Sequence, residues 1–259
     1  MVVILISYFL IIYYMFMNWL PEWLGSRYFK LLEVFNYRVF SVNDACRVLG
    51  ESKVRVRVIL SELYRRGWVI RLERGYYFIL SPYAYFVRGE WEEKVKQKVY
   101  LPLILALSTR LFEWLDDDLV SIAVFGSVAR GEARSLSDLD VVLVSKRFPK
   151  SYSERVRVAV NVIDPIRHLK LWLWNKRGVY CNIELLMLSM EEATLTQPVY
   201  LDMIFDSIIV YDRNRFLSNV LERVRSKMES LGAERVELPS GKWFWRLKPR
   251  VERGEVIEL

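Results

Sequence analysis

Two aspartates stand two residues apart in Ser137-Asp138-Leu139-Asp140, and the run that follows, Leu139 to Val144, is apolar and rich in valine. On a strand, residues two apart point to the same face. Asp138 and Asp140 are therefore expected to present two carboxylates side by side. Like charges that close are costly unless a cation neutralises them. Oxygen-only donors suit Mg²⁺, which is commonly held through one or two carboxylates together with substrate phosphates. A third acid, Glu184, is the one charged residue in the run Asn182 to Leu188, which reads as another buried strand. A lone acid in such surroundings must be paired, protonated or on a metal.

Phosphate chemistry is suggested just upstream. Val120 to Phe125 reads as a short buried strand, and it leads straight into Gly126-Ser127-Val128-Ala129-Arg130-Gly131. A strand, a Gly-Ser turn and a helix start leave backbone N–H groups free and aim the positive end of a helix dipole at an anion. Gly126 lets the backbone come close to a ligand. The Ser127 hydroxyl can donate to a phosphate oxygen. Arg130 and Arg134 are candidate neutralisers of phosphate charge, and each also reads as an ordinary surface cation. The acidic run Asp116-Asp117-Asp118 reads as a solvated loop before the strand rather than as a metal site.

In this order and spacing the residues closely resemble the signature of the DNA polymerase β type nucleotidyltransferase superfamily, and in particular its small prokaryotic and archaeal members. That signature is a Gly-Ser turn (Gly126, Ser127), a glycine four residues after the serine (Gly131) and an Asp-x-Asp opening the next strand (Asp138, Asp140). Arg130 and Ser137 are common companions in those members. The resemblance covers about residues 100 to 212. It implies in-line attack of an acceptor oxygen on the α-phosphate of an NTP, with pyrophosphate leaving. It also implies Asp138, Asp140 and Glu184 as catalytic carboxylates and ligands of Mg²⁺ or Mn²⁺ in a two-metal site. Gly126, Ser127, Arg130, Gly131 and Ser137 would meet the nucleotide and its phosphates. Glu184 matches less tightly than the others, because many members carry Asp there and the spacing varies.

The elements before this constellation have a different character. Arg27 to Tyr37 reads as a helix, with Tyr28, Leu31, Leu32 and Phe35 at helical spacing. Ser41 is an expected N-cap with Asp44 three residues on, and Gly50 closes that second helix. A third helix starts at Ser52 and runs to about Arg66, with Val56, Ile59, Leu60 and Leu63 as its core stripe. Trp68 to Leu72 and Tyr76 to Leu80 read as a hairpin joined by Glu73-Arg74-Gly75. Three helices and a hairpin resemble a winged helix-turn-helix domain, whose third helix enters the DNA major groove. That resemblance implies Lys53, Arg55, Arg57, Arg65 and Arg74 as nucleic-acid contacts. Such domains also serve as dimerisation or protein-docking modules. The net charge is +7. Between Arg27 and Arg74 there are eleven Lys/Arg against five Asp/Glu, so six of that excess lie in this one stretch. A basic region of this kind points to a polyanionic partner.

The remaining segments carry less. Residues 1 to 21 hold no charge and are about as long as a membrane-crossing helix, roughly 20 residues. Three readings stay open: a membrane anchor, an over-extended start with Met15 or Met17 as the true beginning, or a helix packed on the protein or a partner. Cys46 and Cys181 form no CxxC and no Cys/His cluster, so a zinc site is not expected, and His168 is the only histidine. Arginine far outnumbers lysine, a bias compatible with a hot-living source. Gly89 to Asp118 reads as a long helical stretch kinked at Pro102, Glu191 to Phe205 as a helix, and Arg213 to Leu231 as an amphipathic helix. Trp243 and Trp245 lie in a strand-like tail where packing is favoured over base stacking, and a Trp-rich ending of this kind resembles archaeal nucleotidyltransferase-like proteins.

The expected fold class is α+β: a nucleotidyltransferase-type mixed sheet flanked by helices, preceded by a small winged helix-turn-helix domain. The expected division is an apolar segment at 1–26, the winged domain at 27–82, a helical connector at 83–119 and the transferase domain at 120–259. The expected function is metal-dependent transfer of an NMP from an NTP to an acceptor, RNA or protein before a small molecule, with a nucleic-acid-binding N-terminal domain. In some toxin–antitoxin systems the toxin is a small nucleotidyltransferase with a protein acceptor, and the winged-helix protein is its separate partner. Here both modules would share one chain; its oligomeric state stays open, with a dimer among the forms compatible with it. The alternative is a DNA-binding transcriptional regulator whose inactive transferase domain senses nucleotide. The expected location is cytoplasmic, with a membrane-tethered form if residues 1–20 are an anchor.

Overall fold

The structure is a computed structural model that describes residues 20–239 and 243–248. The candidate membrane segment at residues 1–19 lies outside the described residues. Among the described residues no helix is long and apolar enough to cross a membrane. The chain divides into two units that are interleaved in sequence: unit 1 takes residues 20–88, 99–114 and 160–180, and unit 2 takes 89–98, 115–159, 181–239 and 243–248. The stretch 83–119, read from sequence as a connector, is thus shared between them.

Unit 1 opens with α1 (Glu22–Phe35), β1 (Val39–Ser41), α2 (Val42–Leu49), α3 (Lys53–Arg65), β2 (Val69–Glu73) and β3 (Tyr76–Ile79). Helix α1 begins earlier than its apolar spacing indicates, because the Pro21 carbonyl accepts the Leu24 and Gly25 N–H groups at 2.8 and 2.9 Å. Proline is well suited to a helix start, having no N–H to leave unsatisfied. Ser41 and Asp44 form the expected capping box on α2, with Gly50 closing it in the left-handed region at φ 67°. The α3 stripe Val56, Ile59, Leu60 and Leu63 is fully buried. It packs with Leu24, Tyr28 and Leu31 of α1 and with Phe40, Trp68 and Ile79 in one core. The three strands form an antiparallel sheet in the order β1-β3-β2. The Tyr28 hydroxyl donates to the Leu80 carbonyl at 2.7 Å and ties α1 to the end of the hairpin.

Beyond the hairpin lie the short helices α4 (Ala84–Val87) and α5 (Trp91–Lys94), and then α6 (Leu101–Leu115). The long helix expected from Gly89 is therefore broken into pieces. Pro102 does not kink a helix: it sits in the first turn of α6, where no N–H donor is needed and the fixed φ favours the helix. Two helices that periodicity did not single out, α8 (Tyr152–Ile163) and α9 (Arg167–Arg177), lie further along the chain. Cys46 and Cys181 form no disulfide.

Unit 2 is built on a four-stranded mixed sheet of β4 (Leu119–Phe125), β5 (Leu139–Ser145), β6 (Ile183–Ser189) and β7 (Ile208–Asp212), in the order β6-β5-β4-β7. Pairs β4–β5 and β4–β7 are antiparallel and β5–β6 is parallel. The α+β class with a mixed sheet is thus as expected. Helix α7 (Gly126–Arg130) joins β4 to β5. The single helix expected over Glu191–Phe205 is two, α10 (Met190–Thr194) and α11 (Tyr200–Asp206). Pro198 lies in the gap, and a proline there removes a helical hydrogen bond and clashes with the preceding turn. Helix α12 (Phe216–Leu231) starts after a turn in which Asn214 and Arg215 are left-handed, and the Asp212 carboxylate accepts the Leu217 and Ser218 N–H groups at 2.9 Å each. Val120, Ala123, Val142 and Val144 of the sheet meet Tyr200, Met203, Val220 and Val224 of α11 and α12 in one core. A hairpin of β8 (Glu234–Glu237) and β9 (Trp243–Arg246) ends the described chain. Trp245 packs on that core and stacks on Phe205 with centroids 5.1 Å apart, which is the packing role expected of it.

Candidate active site

Strand register gathers the acids. Phe125 of β4 lies opposite Asp140 of β5, and Asp140 lies opposite Glu184 of β6. Residues directly opposite on paired strands share a face, so Asp140 and Glu184 stand next to each other. The Leu139 N–H donates to the Asn182 carbonyl at 2.8 Å, which pins this register at the point where β5 begins. Asp138 precedes the strand by one residue. The consequence is visible in Asp140, whose carboxyl is pushed up to about 6 by burial first, then by the charges of Glu184 and Asp138, with Arg130 opposing. Two neighbouring acids thus press on a half-buried third.

The Gly-Ser turn closes over this group. Gly126 has φ +70°, and a Cβ on it would run into the Asp140 carboxylate. Only glycine serves here, for its conformation and for the room it leaves. Helix α7 is five residues long, so its dipole is much weaker than the sequence reading supposed. What it offers instead is its first N–H groups, which have no intrahelical acceptor and no capping side chain. The Ser127 hydroxyl has no hydrogen-bond partner among the described residues, whereas its carbonyl accepts the Glu132 N–H at 2.9 Å. Ser137 is tied into its own loop. Its hydroxyl accepts the Arg134 N–H at 2.8 Å and its own N–H donates to the Arg134 carbonyl at 3.0 Å, so it shapes the loop that delivers Asp138. The Arg130 charge acts on Asp140, yet its Nε donates to Glu132 at 3.0 Å.

Three further residues of unit 2 bear on the site that motif reading passed over. The Lys96 ammonium donates to the Arg130 carbonyl at 3.0 Å. Gln97 exchanges a pair of hydrogen bonds with the Ala133 backbone at 2.9 and 3.1 Å. Together they clamp the loop between the Gly-Ser turn and Asp138. Gly131 adopts φ +76° against the Lys96 stem, where a Cβ would have no space. Asp202, on α11, has its carboxyl raised by burial first and held back by the Arg130 charge. Nothing in the spacing of these residues marks them; they are recruited by tertiary packing.

The donor set fits a hard divalent cation. The oxygens are all carboxylate, Asp140 carries an electrostatic cost that a cation would relieve, and Gly126 leaves the approach open. Among the described residues no three His, Cys, Asp or Glu side chains are gathered closely enough to enclose an ion. A Mg²⁺ that takes one or two carboxylates and completes its shell with phosphates and water needs no such enclosure.

The family model for the nucleotidyltransferase domain matches residues 109–194. Those residues contain the Gly-Ser turn, both aspartates and Glu184. Protein adenylyltransferase MJ1305 of Methanocaldococcus jannaschii, a name that protein carries provisionally, is 32% identical over 111 residues, which is 42% of this chain and 69% of that one. The chain belongs to the nucleotidyltransferase family. Its activity is nucleotidyl transfer. Among solved structures it overlaps a toxin–antitoxin complex with AMP-PNP (11% identity, 49% of this chain and 90% of that one, TM-score 0.33). It also overlaps a mutant of the toxin–antitoxin MntA–HpeT (9% identity, 48% and 88%, TM-score 0.31). Both overlaps are too slight to bear on mechanism.

The transferase's other predicted contacts lie in unit 1 and do not all meet. Lys53, Arg57 and Arg74 line one cleft between α3 and the β2–β3 hairpin, and Arg71 joins them there. Arg55 instead pairs with Glu51 at 3.7 Å and lies over the Trp23 ring, and Arg65 pairs with Glu62 at 2.5 Å.

Proposed function

We propose that this transferase moves AMP from ATP onto a hydroxyl group of a protein, using Mg²⁺ held by Asp138, Asp140 and Glu184. The row that brings Asp140 against both Gly126 and Glu184 is the observation that carries this reading, since it joins a phosphate-binding turn to a carboxylate group. The name of the Methanocaldococcus relative supports AMP as the group and protein as the acceptor. Bound Mg²⁺ would neutralise the triphosphate and the departing pyrophosphate. Ser127 and the first N–H groups of α7 hold phosphate oxygens. The acceptor oxygen bonds to the α-phosphorus as the bond to the pyrophosphate oxygen breaks, and Glu184 accepts the hydroxyl proton. The helix–strand–helix–helix–hairpin order of unit 1 supports a winged helix-turn-helix module that takes nucleic acid through Lys53, Arg57 and Arg74.

The test is label transfer. The full chain is incubated with each α-phosphate-labelled NTP, Mg²⁺ and cell extract, beside Asp138→Ala and Asp140→Ala. Label from ATP is expected in protease-sensitive, ribonuclease-resistant material. Even the outer partners of metal ligands typically cost about 10- to 100-fold when removed, so each variant is expected to lose at least ~100-fold. Ribonuclease-sensitive label would move the acceptor to RNA, and no label from folded protein would sink the transfer reading.

A further inference from the structure

Lys53, Arg57, Ser61 and Tyr64 follow one another along α3 at helical spacing and line the same cleft. Side chains three and four apart on a helix are neighbours, and like charges so placed repel. Across the cleft the hairpin contributes Arg71, Arg74 and Tyr76. Its tip is hooked down by the Val42 N–H, which donates to the Gly75 carbonyl at 3.0 Å. The cleft holds about 610 Å³, inside the range of roughly 300–1,000 Å³ that ligand sites occupy. None of the four cations forms an ion pair or a side-chain hydrogen bond among the described residues, although arginines all around them do. Arg27 pairs with Glu51, Arg47 with Asp44, Arg55 with Glu51, and Arg65 and Arg66 with Glu62. Unit 1 therefore pairs Arg27, Arg47, Arg55, Arg65 and Arg66 with acids and leaves four positive charges without an acid partner in one concave place.

We propose that this cleft seats a single-stranded nucleic-acid segment, with its phosphates against Lys53, Arg57, Arg71 and Arg74 and its bases on Tyr64 and Tyr76. The cations call for a polyanion. The tyrosines decide which kind. Tyr64 is 53% exposed and Tyr76 37% exposed, beside the cations. Ring faces next to phosphate-binding charges are useful to unstacked bases, which a single strand presents. A duplex keeps its bases stacked inside and offers groove edges and backbone instead. The outward positions of α3 also argue against groove insertion, because Val54 and Val58 are apolar and exposed while Arg55 and Arg65 are already paired. An acidic peptide would use the cations and leave the rings idle.

The test is fluorescence anisotropy on the full chain, without nucleotide or Mg²⁺, so its failure leaves the transfer reading where it stands. The probes are a labelled RNA and a labelled DNA strand of about 12 nucleotides, the duplex of the same sequence, and polyglutamate as competitor. A single strand is expected to bind at least ~10-fold more tightly than the duplex, and the tighter of RNA and DNA identifies the source. Single-strand affinity falls with salt by about 0.7 in log–log slope per phosphate contact, so Arg57→Ala with Arg74→Ala should flatten the slope by about 1.4. Tyr64→Ala and Tyr76→Ala should each weaken binding about five-fold or more, and Arg55→Ala with Arg65→Ala should leave the slope unchanged. Tighter duplex binding overturns the proposal, as does displacement by polyglutamate at matched charge, an equal effect at Arg55 and Arg65, or no binding at low salt.

Discussion

In unit 2, strand register sets Asp140 beside Glu184, with Asp138 one residue before the strand; in unit 1, Lys53, Arg57, Arg71 and Arg74 come close because a helix stripe faces a hairpin. Both are concentrations of one sign of charge, and the protein handles them differently. Asp138 and Asp140 are partly buried while Glu184 is exposed, and the Asp140 carboxyl is pushed up to about 6. The cations sit in an open cleft and remain solvated, which makes their mutual repulsion mild. A half-buried like-charge group stores a real electrostatic cost and releases it when a counter-charge arrives. A solvated one stores little, and gains mainly through the ions it displaces when a polyanion binds.

The sharpest way to break this comparison is at Gly126. A Cβ there meets a left-handed backbone and the Asp140 carboxylate together. Gly126→Ala is expected to destabilise unit 2 by roughly 1–3 kcal/mol and to cut transfer at least ~100-fold, since a misplacement of about 1 Å at a reacting centre costs that much. Nucleic-acid binding by unit 1 should be unchanged. If transfer survives Gly126→Ala, the carboxylate row is not the reacting centre.

Asp140→Asn tests the stored cost itself. The folded carboxyl is raised above its unfolded value, so wild-type stability from this group is whole below about pH 4 and is lost as pH rises through about 6. Asparagine removes that loss. Chemical denaturation in EDTA should therefore find the variant equal to wild type near pH 4 and more stable near pH 8. Because Asp140 is only half-buried, solvent screening reduces the gain to the order of 1 kcal/mol. The same variant should be inactive in transfer. A variant less stable at pH 8 would mean that the carboxylate is structurally satisfied rather than strained.

The two regions also differ in how much of each could be read in advance. The acidic site is encoded locally: the Gly-Ser turn and Asp-x-Asp lie within fifteen residues, Gly126 to Asp140, although β5 begins between the two aspartates and not before them. Glu184 was legible as a lone acid in an apolar run, but the burial expected of it was not found: its end of β6 is open and the side chain is exposed. The capping box at Ser41 and Asp44 and the core stripe of α3 were legible for the same reason, being decided by neighbours in sequence. The clamp by Lys96 and Gln97, and Asp202, were not, because each reaches its partner through packing of distant segments. Pro102 was misread because a proline inside an apolar run breaks a helix or begins one depending on where the helix starts. In unit 1, basic residues were visible but their pairing was not. Arg55 and Arg57 look alike in sequence; only the fold shows Glu51 beside one and the cleft beside the other.

That last distinction yields the smallest effect and the most direct test of the comparison. Lys53 and Arg57 form an i,i+4 like-charge pair without an acid, whereas Arg65 is matched to Glu62 at i−3. Such pairs contribute about 0.2–0.5 kcal/mol in either direction. Glutamine has nearly the helix propensity of arginine and lysine, so it isolates the charge. Arg57→Gln should raise the thermal midpoint of the protein at low salt by ~1 °C, and Arg65→Gln should lower it by a similar amount. Both shifts should shrink at high salt as screening removes the interaction. Adding single-stranded nucleic acid should reverse the order for Arg57 alone, because wild type then gains the stabilisation of a bound ligand that the variant holds less tightly. If Arg57→Gln lowers the midpoint without nucleic acid, that arginine has a partner in solution and the cleft is not left open for a polyanion.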